Sequence, residues 1–259
     1  MKNKIEQGKY IIFLDIDGTV FDGRNVPEKN KEALCRARAE GHKVFLNTGR
    51  ADCIVTKEIL EAVKPDGVVS AMGTAVVIDG KLIYSATMDE DDVQYLIRFG
   101  DERGLFVVIE SVEKLVSMHG SAYSGQENFL DNAEEFRLQY PDMNVSKISF
   151  MKHLDDEEVK ELEKHFDKVY NHSGYAEIPA RGNNKATGIE RVCEYYGTDI
   201  AHSIAMGDSG NDDEMIKFAG IGVAMGNATE NIKAVADMVT LSCKEGGVAY
   251  ALEKLIFNK

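Results

Sequence analysis

The chain has 259 residues, 44% hydrophobic and 29% charged, with a formal net charge of −14. That is apolar material enough for one large domain or two smaller ones, while so acidic a surface argues against nucleic acid or anionic membranes as partners. No apolar run approaches the roughly 18 residues of a membrane span, and the opening MKNKIEQGKY has no apolar stretch of the kind a secretory signal needs.

From the N-terminus, residues 10–14 form a continuous apolar run, the pattern of a strand buried on both faces. Residues 28–40 read as a helix, with Pro27 near its start and Gly41 past its end. A short strand at 44–46, a helix over 51–63 and a strand at 68–71 follow. Asp79-Gly80 between apolar runs at 76–83 predicts a hairpin. After Lys185 the same rhythm returns. Ile189, Val192, Cys193 and Tyr196 mark a helix, residues 203–206 a strand and 212–218 a helix. Short strands at 222–224 and 238–241 and a last helix at 248–257 complete the pattern. Strands alternating with helices imply a parallel sheet covered on both faces, a Rossmann-like three-layer α/β core.

The middle differs. Thr87 with Glu90, Ser124 with Glu127 and Asp155 with Glu158 have capping-box spacing, each ahead of an apolar stripe. The second of these predicts a helix carrying Phe129, Leu130, Ala133 and Phe136. Strand-like runs lie at 106–110, 114–118, 147–151, 169–171 and 176–178. This is the texture of an α+β unit inserted into the first, which gives a division into 1–84 with 185–259, and 85–184. Residues 178–184, with Pro179, Gly182 and two asparagines, read as a hinge that lets the insert open and close. Cys35, Cys53, Cys193 and Cys243 are scattered with no CxxC pair, which favours reduced thiols in a cytoplasmic protein.

The chemistry concentrates at the ends of predicted strands, where open α/β sheets bind ligands. In FLDIDGT, Asp15 ends the first strand and Asp17 follows two residues later. Two adjacent carboxylates there are costly to bury unless a cation joins them, and hard oxygen ligands suit Mg²⁺. Asp208, in GDSGND, ends another predicted strand and would complete a three-carboxylate site if the two strands are neighbours. Asp212 reads most simply as a helix cap, while Asn211 has amide hydrogens to offer a phosphate. Thr48, in LNTGR, ends the second strand beside a helix N-terminus, an anion site. Lys185 starts a helix, where its charge opposes the dipole. An ammonium there would neutralise a phosphoryl oxygen, which an acidic protein binding an anionic substrate requires.

Together these segments resemble the haloacid dehalogenase superfamily. Its DxDGT motif matches Asp15 to Thr19, its strand-two Thr or Ser matches Thr48, its lysine Lys185, and its GDxxND motif Gly207 to Asp212. The insert, between the second and third motifs, looks like the αβ cap of the Cof-type, sugar-phosphatase-like branch. The chain departs from that branch at Ala71-Met72-Gly73, where Ala-Asn-Gly is frequent, and at Ala186, where Gly is frequent. The resemblance implies a phosphatase in which Asp15 is the nucleophile and Asp17 the general acid and base. It implies that Asp15, the Asp17 backbone carbonyl and Asp208 hold Mg²⁺, with Asp212 supporting the metal at one remove. Thr48, Lys185 and Asn211 would hold the phosphoryl oxygens.

The expected partner is a small phosphorylated metabolite, with no nucleic acid and no membrane, for a monomer or homodimer. A phosphomutase and a catalytically silent sugar-phosphate-binding protein are the alternatives. The insert's position argues against the first and the intact Asp15, Asp17, Lys185 and Asp208 against the second. Met118, His119 and Arg181 are candidate substrate-selecting residues.

Overall fold

The computed structural model describes residues 8–120 and 128–257. The predicted cap pair Ser124 and Glu127 lies outside them. The first sheet has eight strands in the order β14-β13-β12-β1-β2-β3-β4-β5. These are β1 Ile11–Leu14, β2 Lys43–Asn47, β3 Gly67–Ser70, β4 Ala75–Ile78, β5 Lys81–Ser85, β12 Ser203–Gly207, β13 Ile221–Ala224 and β14 Met238–Val239. Pairing is parallel from β14 to β3 and antiparallel through β4 and β5. The turn at Asp79-Gly80 has positive φ at both residues, 49° and 72°, the twist that joins two strands in a tight hairpin.

Side chains alternate across a strand, so the unbroken apolar run of β1 serves two cores. Ile12 and Leu14 meet Leu34 of α1 (Glu28–Ala39), Ile59 of α2 (Lys57–Val63) and Val248 of α9 (Gly247–Leu252). On the opposite face, Ile11 and Phe13 join Ile189 and Val192 of α6 (Lys185–Tyr196), Met215 of α7 (Asp213–Phe218) and Ile232 of α8 (Glu230–Val235). This is a three-layer α/β core.

All strands of the second sheet fall between β5 and α6 in the chain. Its order is β10-β11-β9-β6-β7-β8, with β6 Val107–Glu110, β7 Leu115–Met118, β8 Asn128–Leu130, β9 Lys147–Phe150, β10 Tyr170–Asn171 and β11 Ala176–Pro179. One face packs on α3 (Glu90–Glu102), α4 (Glu135–Gln139) and α5 (Asp156–Leu162), through Val93, Leu96, Phe136 and Leu162 against Val107, Ile109, Ile148 and Phe150. The other face, carrying Val108, Glu110, Lys147 and Ser149, lies over the carboxyl ends of the first sheet's strands.

Local chemistry moves several predicted elements. The helix expected over 51–63 divides into a 3₁₀ turn, Asp52–Ile54, and α2, because the Thr56 side chain caps α2 by accepting the Ile59 N–H. The Thr87–Glu90 capping box does not form. Asp89 precedes α3 without a side-chain cap bond, and the Glu90 carboxylate is taken by Arg137 and Gln94. The stripe at 129–136 is not one helix. Residues 128–130 pair with β7 as a strand, and Asn132 Oδ1 accepts the N–H groups of Glu134 and Glu135 just ahead of α4. The Asp155–Glu158 capping box is present at the start of α5. Among the described residues no helix is long and apolar enough to cross a membrane.

Candidate active site

β1 pairs with β12 in parallel, Leu14 opposite Met206, so the residues just past each strand end meet in space. Asp15 is 5% exposed. Asp15, Asp208 and Asp212 each offer a carboxylate oxygen within 4.8 Å of the others. Lys185, at the first turn of α6, is 1% exposed, and its Nζ lies 2.6 Å from Asp15 Oδ1 and 2.6 Å from Asp212 Oδ1. Asn47, at the end of β2, donates to the Lys185 carbonyl at 2.9 Å and pins the start of that helix.

Burial, with the nearby carboxylates of Asp212 and Asp208, pushes the Asp15 carboxyl well above its ordinary range despite the attraction of Lys185. Burial and then Asp212 raise Asp208 to about 6, opposed by the hydrogen bonds from Thr19 and Asn227. Burial works against the charged form of Lys185, but Asp15 and Asp212 outweigh it and hold the ammonium charged. One cation thus faces three converging acids, an excess of buried negative charge that a further cation relieves.

Asp212 makes no side-chain cap bond to α7 itself, but it closes a capping box with Ser209 on the 3₁₀ turn Gly210–Asp212 that leads into that helix. Its Oδ2 accepts the backbone N–H groups of Asp208 and Ser209, both at 2.9 Å, which also shapes the loop after β12. Asp208 accepts Thr19 Oγ1 at 3.2 Å and Asn227 Nδ2 at 3.1 Å. Gly18, at φ +84°, leaves room for it, since a Cβ there would sit 2.3 Å from Asp208 Oδ2. Thr48 is 1% exposed, and its Oγ1 accepts the Arg50 N–H.

The carboxylate of Asp17 lies apart from the acid cluster. The sequence pattern surrounds it with acids, yet its partner is the Arg50 guanidinium, donating at 2.8 and 2.6 Å. Arg50, Thr19 and Asn227 carried no assigned role in the sequence pattern, although Arg50 and Thr19 stand inside its motifs.

Asp15, Asp17, Thr48 and Asn211 open into a cavity of about 620 Å³. Its roof is the free face of the second sheet with the residues beside it, Val108, Glu110, Lys147, Ser149, Met151, Tyr175 and Glu177, and Ile54 adds to an apolar wall. The candidate selecting residues lie elsewhere. Met118 is packed in the insert's core, His119 pairs with Asp101 and Arg181 with Asp92. Met72, at φ +60° and fully buried, is held beneath the Thr48 loop by its N–H on the Thr48 carbonyl and does not line the cavity. A larger open groove of about 960 Å³ between α1 and α2 contains none of these groups.

The haloacid dehalogenase-like hydrolase profile matches residues 12–252. YkrA of Bacillus subtilis (strain 168) is 32% identical over 250 residues, spanning 95% of this chain and 97% of YkrA. The 5-amino-6-(5-phospho-D-ribitylamino)uracil phosphatase YitU of the same organism is 28% identical over 275 residues, 96% of this chain and 98% of that one. Among solved structures, BT4131, a sugar phosphatase of HAD subclass IIB, superposes with a TM-score of 0.85 at 25% identity over 95% of this chain and 98% of its own. BT1666 of Bacteroides thetaiotaomicron gives 0.83 at 26% identity over 98% of each chain. With the four motifs in order and an α+β insert between the second and third, the chain belongs to the haloacid dehalogenase-like hydrolases, in their Cof-type branch.

Proposed function

We propose that this chain is a Mg²⁺-dependent phosphatase that hydrolyses a small phosphorylated metabolite through a phosphorylated Asp15. The observation that carries the reading is the buried Lys185 ammonium 2.6 Å from Asp15 and Asp212, beside Asp208 and under the face of the second sheet. The donor set fits the ion: hard carboxylate oxygens converge in buried surroundings that raise two of their pKa values, and Gly18 keeps a side chain out of the space beside Asp208. Asp15 and Asp208 would hold Mg²⁺ with the Asp17 carbonyl, and Asp212 would shape the loop and supply charge beside them. When bound, the ion supplies positive charge against the developing charge on the transferred phosphoryl group.

Asp15 attacks phosphorus, the ester P–O bond breaks, and the departing alcohol takes a proton from Asp17. Water then attacks the same phosphorus and gives a proton back to Asp17, and the P–O bond to Asp15 breaks, leaving inorganic phosphate. Covalent catalysis replaces one hard step by two easier ones. Lys185, Thr48 and Asn211 hold the phosphoryl oxygens, with Lys185 opposing their charge in a water-poor site. Asp17 must leave Arg50 to reach the alcohol, and as a half-exposed side chain it has the room to do so.

Residues 85–184 act as the substrate-selecting cap. The roof offers hydrogen-bonding groups beside the apolar Ile54, Val108 and Met151, which suits the alcohol part of a sugar phosphate or a comparable phosphomonoester. The phosphatases BT4131 and YitU, for a sugar phosphate and a ribityl phosphate, support that class. Unpaired cysteines, one of them exposed, favour a reducing cytoplasm.

The test is phosphate release from a panel of phosphorylated metabolites. Asp15→Asn and Asp15→Ala abolish turnover with unchanged circular dichroism, and EDTA stops the wild type until Mg²⁺ is restored. Retention of about a tenth of the wild-type rate by Asp15→Asn, a loss of only ~1.4 kcal/mol, ends the nucleophile assignment.

A further inference from the structure

One buried charged cluster of the roof takes no step in the phosphoryl transfer above. Glu110 ends β6, Lys147 starts β9 and Glu177 lies in β11, and each is 3% exposed. The Lys147 ammonium meets Glu110 Oε1 at 3.2 Å, is hydrogen-bonded to Glu177 Oε1, and donates to the Gly49 carbonyl at 2.6 Å. That last bond leaves the second sheet and reaches the loop carrying Thr48 and Arg50. Glu177 makes a second crossing. Its Oε2 accepts Asn211 Nδ2 at 3.2 Å, with His172 Nε2 also at 3.2 Å.

These bonds orient Asn211 from both ends. Ser209 Oγ donates to its Oδ1 at 2.8 Å while Glu177 takes one hydrogen of Nδ2, which leaves the second hydrogen for a ligand. The approach is tight. A Cβ on Gly49 would lie 2.9 Å from Glu177 Oε1 and 3.3 Å from Asn211 Nδ2. Buried ion pairs are a weak source of stability, since apolar residues fill the same space at equal or lower cost. This cluster sits where the insert touches the loops carrying Thr48 and Asn211, and its bonds to Gly49 and Asn211 cross from the insert to those loops.

We propose that Glu177 and Lys147 are positioning residues that make closure of the insert and alignment of the phosphate-binding groups a single event. Glu177 sets the Asn211 amide, and Lys147 anchors the 48–50 loop through the Gly49 carbonyl. The proposal rests on Asn211 being a phosphate ligand.

The test measures inorganic phosphate as a competitive inhibitor of p-nitrophenyl phosphate hydrolysis. Glu177→Ala weakens phosphate binding about tenfold, the scale of one charged hydrogen bond. Glu177→Gln, which keeps an acceptor oxygen for Asn211, loses less than about threefold. In an Asn211→Ala background the further Glu177→Ala change adds less than about twofold, because Glu177 acts through that amide. An equal loss in both backgrounds, or none in either, overturns the proposal. Should Glu177→Ala not fold, Gly49→Ala displaces the same carboxylate from the opposite side, with the same expected loss and the same cycle. Hydrogen exchange of the phosphate-free protein gives a readout independent of turnover. Lys147→Met speeds exchange in peptides covering 46–54 and 207–213 about fivefold or more. Unchanged exchange there overturns the latch even if the chain is a phosphatase, and faster exchange supports it even if no tested ester is cleaved.

Discussion

Lys185→Met is the most demanding perturbation the site offers. Methionine keeps most of the apolar stem and deletes the charge, leaving Asp15 and Asp212 facing each other and Asp208 with no buried cation. Removing one partner of a buried ion pair costs about 3–5 kcal/mol. A second route gives a similar figure. The folded variant escapes the charge by binding one more proton than the wild type, at a site that in the unfolded chain ionises near pH ~3.9. At pH 7, about three units higher, that uptake costs ~4 kcal/mol. For a chain of this size the cost corresponds to a Tm lower by roughly 8–16 °C. The sign of the pH dependence follows: the folded variant holds the extra proton, so its deficit shrinks by ~1.4 kcal/mol for each pH unit from 7 toward 4. Thermal unfolding in EDTA, followed by circular dichroism at pH 5, 6 and 7, reads both quantities. A deficit under ~1 kcal/mol at pH 7, or one that grows as pH falls, refutes the buried Lys185–Asp15–Asp212 arrangement.

Gly18→Ala places a Cβ 2.3 Å from Asp208 Oδ2 at a backbone φ of +84°. The Mg²⁺ concentration for half-maximal activity should rise about tenfold or more, with an unchanged Mg²⁺ curve as the contrary result. Burial and Asp212 raise Asp208 to about 6, and a cation must displace that proton. Mg²⁺ affinity should therefore fall as pH drops through this value, by up to about tenfold per pH unit for that proton, as Mg²⁺ titrations at pH 5 and 7 will read. Asp66 accepts the Val44 N–H, Lys43 and Arg38 at 3.0, 2.9 and 3.2 Å. Burial alone raises its pKa, but these bonds prevail and hold it below the ordinary value. Its ionised form adds stability above pH ~3.9 that is lost as pH falls through the folded value. With both cations about a third exposed, Asp66→Asn should cost only ~1 kcal/mol at pH 7 and nothing in strong acid, measured by urea denaturation.

Three groups of the candidate site were readable because each sits immediately beyond a short apolar run of the kind a buried strand carries. Asp15 after β1, Thr48 after β2 and Asp208 after β12 follow that rule. Capping was readable only where the side chain had no better partner: Asp155 caps α5, whereas Glu90 is drawn away by Arg137, 47 residues further along the chain. The roof also left a trace, since in β6 and β9 polar Glu110, Lys147 and Ser149 alternate with core residues Val107, Ile109, Ile148 and Phe150. Alternation shows that one face is polar. It does not show that the face is covered, and an exposed polar face has the same pattern as a buried ionic one.

From the sequence alone follow the alternation of strands and helices, the motifs at strand ends and the place of the insert, because periodicity and strand-end chemistry are local properties of the chain. Only tertiary structure decided that Arg50 takes Asp17, that Lys185 joins Asp15 to Asp212, and that Lys147 and Glu177 lie over the site. A charged side chain takes the partner that burial brings within about 3 Å. That partner is set by how two sheets far apart in sequence pack against each other, which no local pattern encodes.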